Sequence, residues 1–335
     1  MTTLAFPTVP KFSVHHAARP MMARDADAMY WMSRYVERAE HTARLLMVNA
    51  TLLMDVGDLA PKFLREQWQG VLTILRCEAA PAGDARLLGS RIAHHLTFNA
   101  DNHNSMYTGL SRARENARAI RENISAEMWE SINKLYWSIR GDDALARFEE
   151  SPEDFYRQVM NDSMLFQGLT DQTMAHDQRW LFTQLGKYLE RIDITCRAVE
   201  TKFNILQQVK METALRTIQW MAVLRSCCSI ETYRRNHAGD MDPLRVISFI
   251  LLERNFPRSV RYGVAMAHQA LAAIRAETNP LAIDPGERIL GRLSAQLEYA
   301  EPSEIAEVGV PDYMQKMQAQ IAEVAVAVQK AYFLY

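Results

Sequence analysis

Apolar residues recur along this chain at steps of three and four. Met32, Tyr35, Val36, Ala39, Ala43 and Leu46 trace one face of an amphipathic helix. Comparable stripes run through 60–77, 84–99, 105–138, 152–170, 174–208, 213–235, 257–278, 285–300 and 311–334. The period-two alternation of Val, Ile and Thr that marks a half-buried strand is missing. The residues between the stripes agree with this reading, because Ala, Leu, Met, Arg, Glu and Gln favour helix, and only 13 glycines and 12 prolines interrupt 335 residues. The pattern predicts an all-α protein, a helical bundle.

A second, longer period lies over the first. Trp31-Met-Ser-Arg-Tyr-Val-Glu-Arg-Ala-Glu-His-Thr-Ala-Arg44 aligns with Gln184-Leu-Gly-Lys-Tyr-Leu-Glu-Arg-Ile-Asp-Ile-Thr-Cys-Arg197 at an offset of 153. Gln67-Trp-Gln-Gly-Val-Leu72 aligns with Gln219-Trp-Met-Ala-Val-Leu224 at 152. Ser105, Gly109 and Ile120-Arg121 align with Ser259, Gly263 and Ile274-Arg275 at 154. Three matches at nearly one offset predict a tandem duplication of a several-helix unit. The expected organisation is a flexible N-terminal extension over 1–21, a first helical repeat over 22–170 and a second over 171–335, the two repeats packed into one domain about a pseudo-two-fold axis.

One charged position breaks the amphipathic rule. On a helical wheel Arg38 falls between Trp31 and Leu45, inside the apolar stripe, with Tyr35 and Thr42 beside it. Arg191 holds the equivalent place beside Tyr188 and Thr195. The neighbouring Glu37 and Glu190 are rotated by about 100° from these arginines, so the Glu-Arg dipeptide is not itself a salt bridge. A guanidinium cannot shed its charge, so an inward arginine requires a carboxylate, a phosphate or several carbonyls. The stretch Arg114-Glu-Asn-Ala-Arg-Ala-Ile-Arg-Glu-Asn123 sets Arg114, Arg118 and Arg121 along one row, and Glu115, Glu122 and Glu127 are its candidate partners. Two readings follow. One is an ionic lattice that fixes helix register. The other is a polar pocket in which clustered arginines grip an anionic peptide or carboxylate ligand.

Composition removes several classes of function. With 38 Lys and Arg against 40 Asp and Glu, no basic field exists for nucleic acid. Charged residues interrupt every apolar run before it reaches membrane-spanning length, and the first 20 residues lack a signal-peptide pattern. Cys77, Cys196, Cys227 and Cys228 form no C-x-x-C spacing and read as free, mostly buried thiols in a reducing cytoplasm. Arg225 stands just before Cys227, but the flanking Leu224 and Ile230 indicate an ordinary core helix. His94, His95, His103 and Asp101 lack the spacing of a metal site, and no nucleotide or nucleophile-elbow motif occurs, so neither metal nor cofactor is expected. Trp68 and Trp220, at matching positions, read as core anchors.

The run from Met22 to Leu46 closely resembles the opening of the Alpha-E family, bacterial helical proteins with a Glu-Arg motif. The likeness continues through Arg114 to Ser125 with Glu127 and Trp129, Leu185 to Arg197, Leu224 to Arg235, and Phe256-Pro-Arg-Ser-Val-Arg261, covering 22 to about 334. Asn104 stands where the family pattern has proline, and Ile192-Asp193 replaces the Ala-Glu of Ala39-Glu40. The resemblance implies company with a circularly permuted ATP-grasp protein and a transglutaminase-like peptidase, hence a peptide-forming or peptide-modifying system. Within it the chain is a helical subunit contributing substrate binding or docking through inward arginines. The candidate ligand-binding set is Tyr35, Arg38, Thr42, Arg114, Arg118, Arg121, Glu122, Tyr188, Arg191, Arg258 and Arg261. Two alternatives stand beside it: a self-contained transferase or amide-forming enzyme with Glu37 or Glu190 as base and Arg38 or Arg191 stabilising an oxyanion, and a purely structural assembly protein.

Overall fold

The computed structural model describes residues 21–56, 61–77, 87–208, 213–237, 241–281 and 283–333. The extension expected over 1–21 lies outside these except for Met21. In chain order the helices are α1 (Ala23–Val56), α2 (Pro61–Ile74), α3 (Leu88–Phe98), α4 (Met106–Ala119), α5 (Ala126–Arg140), α6 (Ala144–Glu150), α7 (Pro152–Thr173) and α8 (Gln178–Gln208). They continue as α9 (Thr213–Ser226), α10 (Ile230–His237), α11 (Pro243–Leu252), α12 (Val260–Thr278), α13 (Pro285–Tyr299), α14 (Pro302–Val308) and α15 (Val310–Val328). No strand occurs among the described residues, so the all-α class stands.

Local chemistry sets the helix ends. Ser105, Ser125 and Ser259 each accept a hydrogen bond from the backbone N–H three residues on, at 3.1 Å, and start α4, α5 and α12. Asp242 and Asp284 do the same for α11 and α13 at 2.9 Å, with Pro243 and Pro285 in the first turn where a missing N–H costs nothing. The stripe read as continuous over 105–138 is therefore two helices. It breaks at a 3-10 turn, Arg121–Asn123, because Ser125 caps a new start. The stripe over 213–235 breaks likewise. Both α2 and α9 end in a Schellman closure: Cys77 N–H bonds Leu72 C=O at 2.9 Å, and Ser229 N–H bonds Leu224 C=O at 2.8 Å. The residue that turns the chain there is Arg76 in one case and Cys228 in the other. Both have φ 55°, and no other described non-glycine residue has a positive φ.

Helices α1 and α8 meet at the centre, and the rest pack around them. Helix α1 packs against α4, α7 and α9, while α8 packs against α12, α15 and α2, so α2 leans on the later long helix and α9 on the earlier one. Small residues permit the central approach. A Cβ on Gly186 would lie 2.3 Å from the Tyr30 carbonyl oxygen, and Ser33, its counterpart at the 153-residue offset, donates its hydroxyl to Thr183 C=O at 2.6 Å. Trp68 and Trp220 are both buried, as expected of anchors.

Candidate functional site

One turn beyond this contact, the two Glu-Arg pairs exchange partners. Arg191 grips Glu37 through two bonds, Nε to Oε1 at 2.6 Å and Nη2 to Oε2 at 2.9 Å. Arg38 grips Glu190 in the same fork, Nε to Oε1 at 2.6 Å and Nη2 to Oε2 at 3.1 Å. The planar guanidinium matches the carboxylate edge, the strong form of this bond. Both carboxylates are 0 % exposed, so it is the glutamates that point deepest, with the arginines reaching them from the opposite helix. This corrects one expectation: Glu115, Glu122 and Glu127 are not the partners of the inward arginines, while neither Glu-Arg dipeptide forms a salt bridge within itself. A wheel drawn for one helix ranks faces against a flat core, whereas here each helix faces another helix of the same pattern.

The shells around the two forks differ. Glu37 also accepts from Gln167 Nε2 at 2.6 Å and lies 3.2 Å from His41 Nε2. Glu190 instead takes a second arginine, Arg34, through Nε at 2.8 Å, and Arg34 donates onward to the Tyr30 hydroxyl at 2.9 Å. Glu40, also 0 % exposed, is held by Arg44 and by Arg258 Nη1 at 3.0 Å. Burial alone would raise the Glu37 carboxyl. The charge of Arg191 and the bonds from His41 and Arg191 outweigh it and hold the group well below the usual carboxylate range. The same contest leaves Glu190 far below that range, against Arg38 and Arg34, and Glu40 at about 2, against Arg258 and Arg44. Lys187 stands where Arg34 would be repeated. Burial, aided by Arg191, lowers it to about 8, and its ammonium rests 4.7 Å from the Tyr188 ring.

Glu37, Glu40 and His41 are the one group of three metal-ligand types that converges among the described residues. Its chemistry does not suit a cation. Three guanidinium groups, of Arg44, Arg191 and Arg258, already neutralise its two buried carboxylates and occupy their lone pairs.

The remaining candidates do not join this cluster. Arg114 bonds Asn133 Oδ1 at 2.7 Å and lies over the Tyr136 and Trp129 rings, between α4 and α5. Arg118 is exposed and pairs with Glu115 at 2.8 Å; Arg121 and Glu122 are exposed on the 3-10 turn. The arginine row expected from Arg114 to Arg121 therefore never converges with Arg38, because the helix that would have aligned it stops at Ala119. Tyr35 stacks on Trp31 and opens on a separate cavity of about 360 Å³ with Arg112. Thr42 is buried, Tyr188 lies under Arg191, and Arg261 pairs with Glu298 at 2.7 Å. Of the ligand-binding set, only Arg38, Arg191 and Arg258 bond within the cluster, with the Tyr35 ring under Arg38 and the Tyr188 ring under Arg191. The sequence reading missed Arg34, His41, Glu40, Arg44, Gln167 and Lys187. The spacings Glu37–His41 and Glu40–Arg44, each one helical turn, were the available signal. The thiols offer no nucleophile: burial pushes Cys227 up to about 12 and raises Cys228.

The family model described as a predicted alpha-helical domain with a conserved ER motif matches residues 21–333. The chain belongs to the Alpha-E family. Of its four Glu-Arg dipeptides, those at 37–38 and 190–191 interlock between α1 and α8. Curated relatives include an uncharacterized protein of Mycobacterium bovis and one of Mycobacterium tuberculosis strain CDC 1551, each 24 % identical over 317 residues. A third, from M. tuberculosis strain H37Rv, is 23 % identical. The alignments cover 88 % of this chain but 34 % of each relative, so this Alpha-E chain spans about a third of the length of the relatives it matches. No solved structure matches it. Among the described residues no helix is long and apolar enough to cross a membrane.

Proposed function

We propose that this Alpha-E chain is a helical binding and docking subunit of an ATP-grasp-centred peptide-forming or peptide-modifying system, and that the Glu-Arg motif is its internal clasp. The observation that carries the second half is the state of Glu37 and Glu190. Each is 0 % exposed, saturated with donors and held below the usual carboxylate range. A general base must reach the proton it abstracts and must hold it well, and neither condition is met. This weighs against a self-contained amide-forming enzyme built on the motif. It also moves the ligand away from Arg38 and Arg191, whose Nε and Nη2 donors are spent on carboxylates of the same chain.

The partner follows from the family resemblance, which implies a circularly permuted ATP-grasp ligase and, beside it, a transglutaminase-like peptidase. The curated relatives fit a unit that works attached to something else, since their matching stretch is about a third of a longer chain. The two halves, 22–170 and 171–335, we take as copies of one unit. Support comes from the exchanged Glu-Arg forks, the paired closures at Arg76 and Cys228, and the paired caps at Ser105 and Ser259. Co-expression with the circularly permuted ATP-grasp protein of the same genome tests the reading. Co-purification, with ATP hydrolysis and amide formation only in the mixture, is the expected result; amide formation by this chain alone would overturn it.

A further inference from the structure

Away from the clasp, α4 and α5 meet along a seam in which arginines and aromatic rings alternate. In order along it stand Tyr107, Arg140, Tyr136, Arg114, Trp129 and Arg121, each guanidinium lying over a ring at 4.2–5.7 Å. The spacing is helical. Positions 107, 111, 114 and 118 share one flank of α4, and 129, 133, 136 and 140 share the facing flank of α5. Trp137, 55 % exposed, meets Tyr136 edge to face at 5.0 Å and carries the aromatic surface outward.

A ring covers the face of a guanidinium, whereas a carboxylate bonds its in-plane N–H edge, so the two contacts do not compete. Few edge donors are used within the seam. Arg114 Nε donates to Asn133 Oδ1 at 2.7 Å, Arg140 Nη1 to Ser111 Oγ at 3.1 Å and Arg121 Nη1 to Ile124 C=O at 3.4 Å. Arg121 and Arg140 are exposed and pair with no carboxylate among the described residues. Glu115 is the acid that reaches the row, 2.8 Å from Arg118 and 3.4 Å from Arg114. Even with Glu122 of the adjoining turn counted, the four guanidiniums of Arg114, Arg118, Arg121 and Arg140 stand against two carboxylates. Glu130 is turned about 100° from Trp129, and Glu127 lies on the far flank of α5 with Lys134, which bonds Asp162 of α7 at 2.9 Å.

The pair α12–α13, reached at the 154-residue offset, shows what the seam lacks. Tyr107 and Arg121 correspond there to Arg261 and Arg275 of α12. Each of these arginines closes on a glutamate of α13, Arg261 on Glu298 at 2.7 Å and Arg275 on Glu287. Helix α13 presents carboxylates to its neighbour and α5 presents rings. Packing such a helix pair does not call for a ladder, and the acids absent from α5 are left for another chain to supply.

We propose that the α4–α5 seam is the docking surface for an acidic segment of a partner protein, whose carboxylates take the open edges of Arg121 and Arg140 while an apolar side chain packs on Trp137. Trp, Tyr and Arg are the residues that dominate the energetics of protein interfaces. Nucleic acid also favours arginines and rings, but it requires a wide basic field, which 38 Lys and Arg against 40 Asp and Glu do not give. The proposal rests on the docking reading for the existence of a protein partner and supplies its surface.

The probe is a short peptide of alternating Glu and Ala with one Phe, long enough to follow the row, which rises about 20 Å from Tyr107 to Arg121. It is titrated into the full chain beside its Gln-for-Glu counterpart and oligouridylate, with the indole N–H signals of Trp129 and Trp137 followed by NMR. The Glu peptide is expected to shift both signals, to bind about tenfold or more tighter than the Gln peptide, and to weaken as salt is added. Arg121→Lys/Arg140→Lys keeps both charges but loses the planar stack, and should weaken binding several fold with an unchanged melting curve. Arg118→Gln, at a side chain 68 % exposed, leaves Glu115 facing the incoming acid and should also weaken it; it keeps the test open if the double variant folds poorly. Equal binding of the Glu and Gln peptides, tighter binding of oligouridylate, or an affinity untouched by these substitutions would each overturn the proposal. No ligase enters the titration, so an inert seam refutes this proposal alone, and failure to co-purify an ATP-grasp protein refutes the docking reading alone.

Discussion

Replacing Arg191 with Met removes one side of the better buried fork and keeps most of the apolar stem. The loss comprises the bonds to Glu37 at 2.6 and 2.9 Å, a third to Pro257 C=O at 3.2 Å and a fourth to Gln167 Oε1 at 3.3 Å. Glu37 is left fully buried with only Gln167 and His41 as close partners, a charge without its counter-charge. Breaking one side of a buried pair costs about 3–5 kcal/mol. With an unfolding entropy of about 2.1 cal/mol/K per residue, a cooperative unit of this size loses about 4–7 °C in Tm. The pH dependence identifies the cause. In the native protein Glu37 titrates below its unfolded value, so its pairing stabilises fully above about pH 4.3 and the benefit is lost as pH falls toward the folded value. In Arg191→Met the carboxyl rises, protonation relieves it, and the gap to wild type closes as the solution is acidified through about pH 4. Arg38→Met is the internal control: Glu190 keeps Arg34 at 2.8 Å, so its loss should be smaller, about 1–3 kcal/mol. Urea denaturation at pH 7 and pH 4 reads all of these, together with Glu37→Gln/Arg191→Met, which should recover about 2 kcal/mol of the single-variant loss. If Arg191→Met lies within about 1 kcal/mol of wild type at pH 7, or the double variant is no better than the single, the clasp is not an energetic unit.

Two further outcomes are expected. Burial lowers Lys202 to about 8, with Gln67 as its partner, so the unfolded chain holds the proton more tightly between about pH 8 and 10.5 and native stability rises across that window. Lys202→Met should stabilise by about 1–2 kcal/mol at pH 7 and flatten part of that rise, leaving the share due to Lys187; a destabilised variant in urea titration would refute this. At Cys228, with φ 55°, Gly should exceed Ala in stability by about 1 kcal/mol in thermal melts, since only Gly adopts this region without strain, and equal melts would show that the closure carries none.

Helix class and most helix spans were legible because amphipathic spacing is a local property. The stripe at 285–300 becomes α13, Pro285–Tyr299, and that at 152–170 becomes α7, Pro152–Thr173. Breaks were less legible where no glycine or proline marks them. Ser125 and Cys228 each end a stripe through capping or a left-handed turn that hydrophobic periodicity does not register. Helix α11 went unread although Asp242-Pro243 announces it, because a short, almost wholly apolar run shows no 3.6-residue period. At the site, Arg38 and Arg191 were found as charges inside an apolar stripe, but their partners were sought on the wrong helix. An exchanged pairing is a property of two helices in register, and contact separations of 152 and 154 residues are visible in a sequence only after the offset is read as a contact rule.

That rule also accounts for how the clasp and its flanking turns relate. The forks at Glu37–Arg191 and Glu190–Arg38 are matched almost atom for atom, so either half has little freedom there without stranding a buried charge in the other. One turn along, Glu40 and Asp193 occupy corresponding positions and carry no such mutual constraint, since neither bonds the other helix's arginine: Glu40 pairs with Arg44 and Arg258, Asp193 with Arg197 and Arg76. The shorter Asp193 bonds Arg197 through Nη2 alone, where Glu40 takes both Nε and Nη2 of Arg44, and a larger, more polar cavity lies beside Arg197 than beside Arg44. A frame locked by exchanged ion pairs therefore leaves its flanking turns free to differ, as the unlike cavities beside Arg44 and Arg197 do.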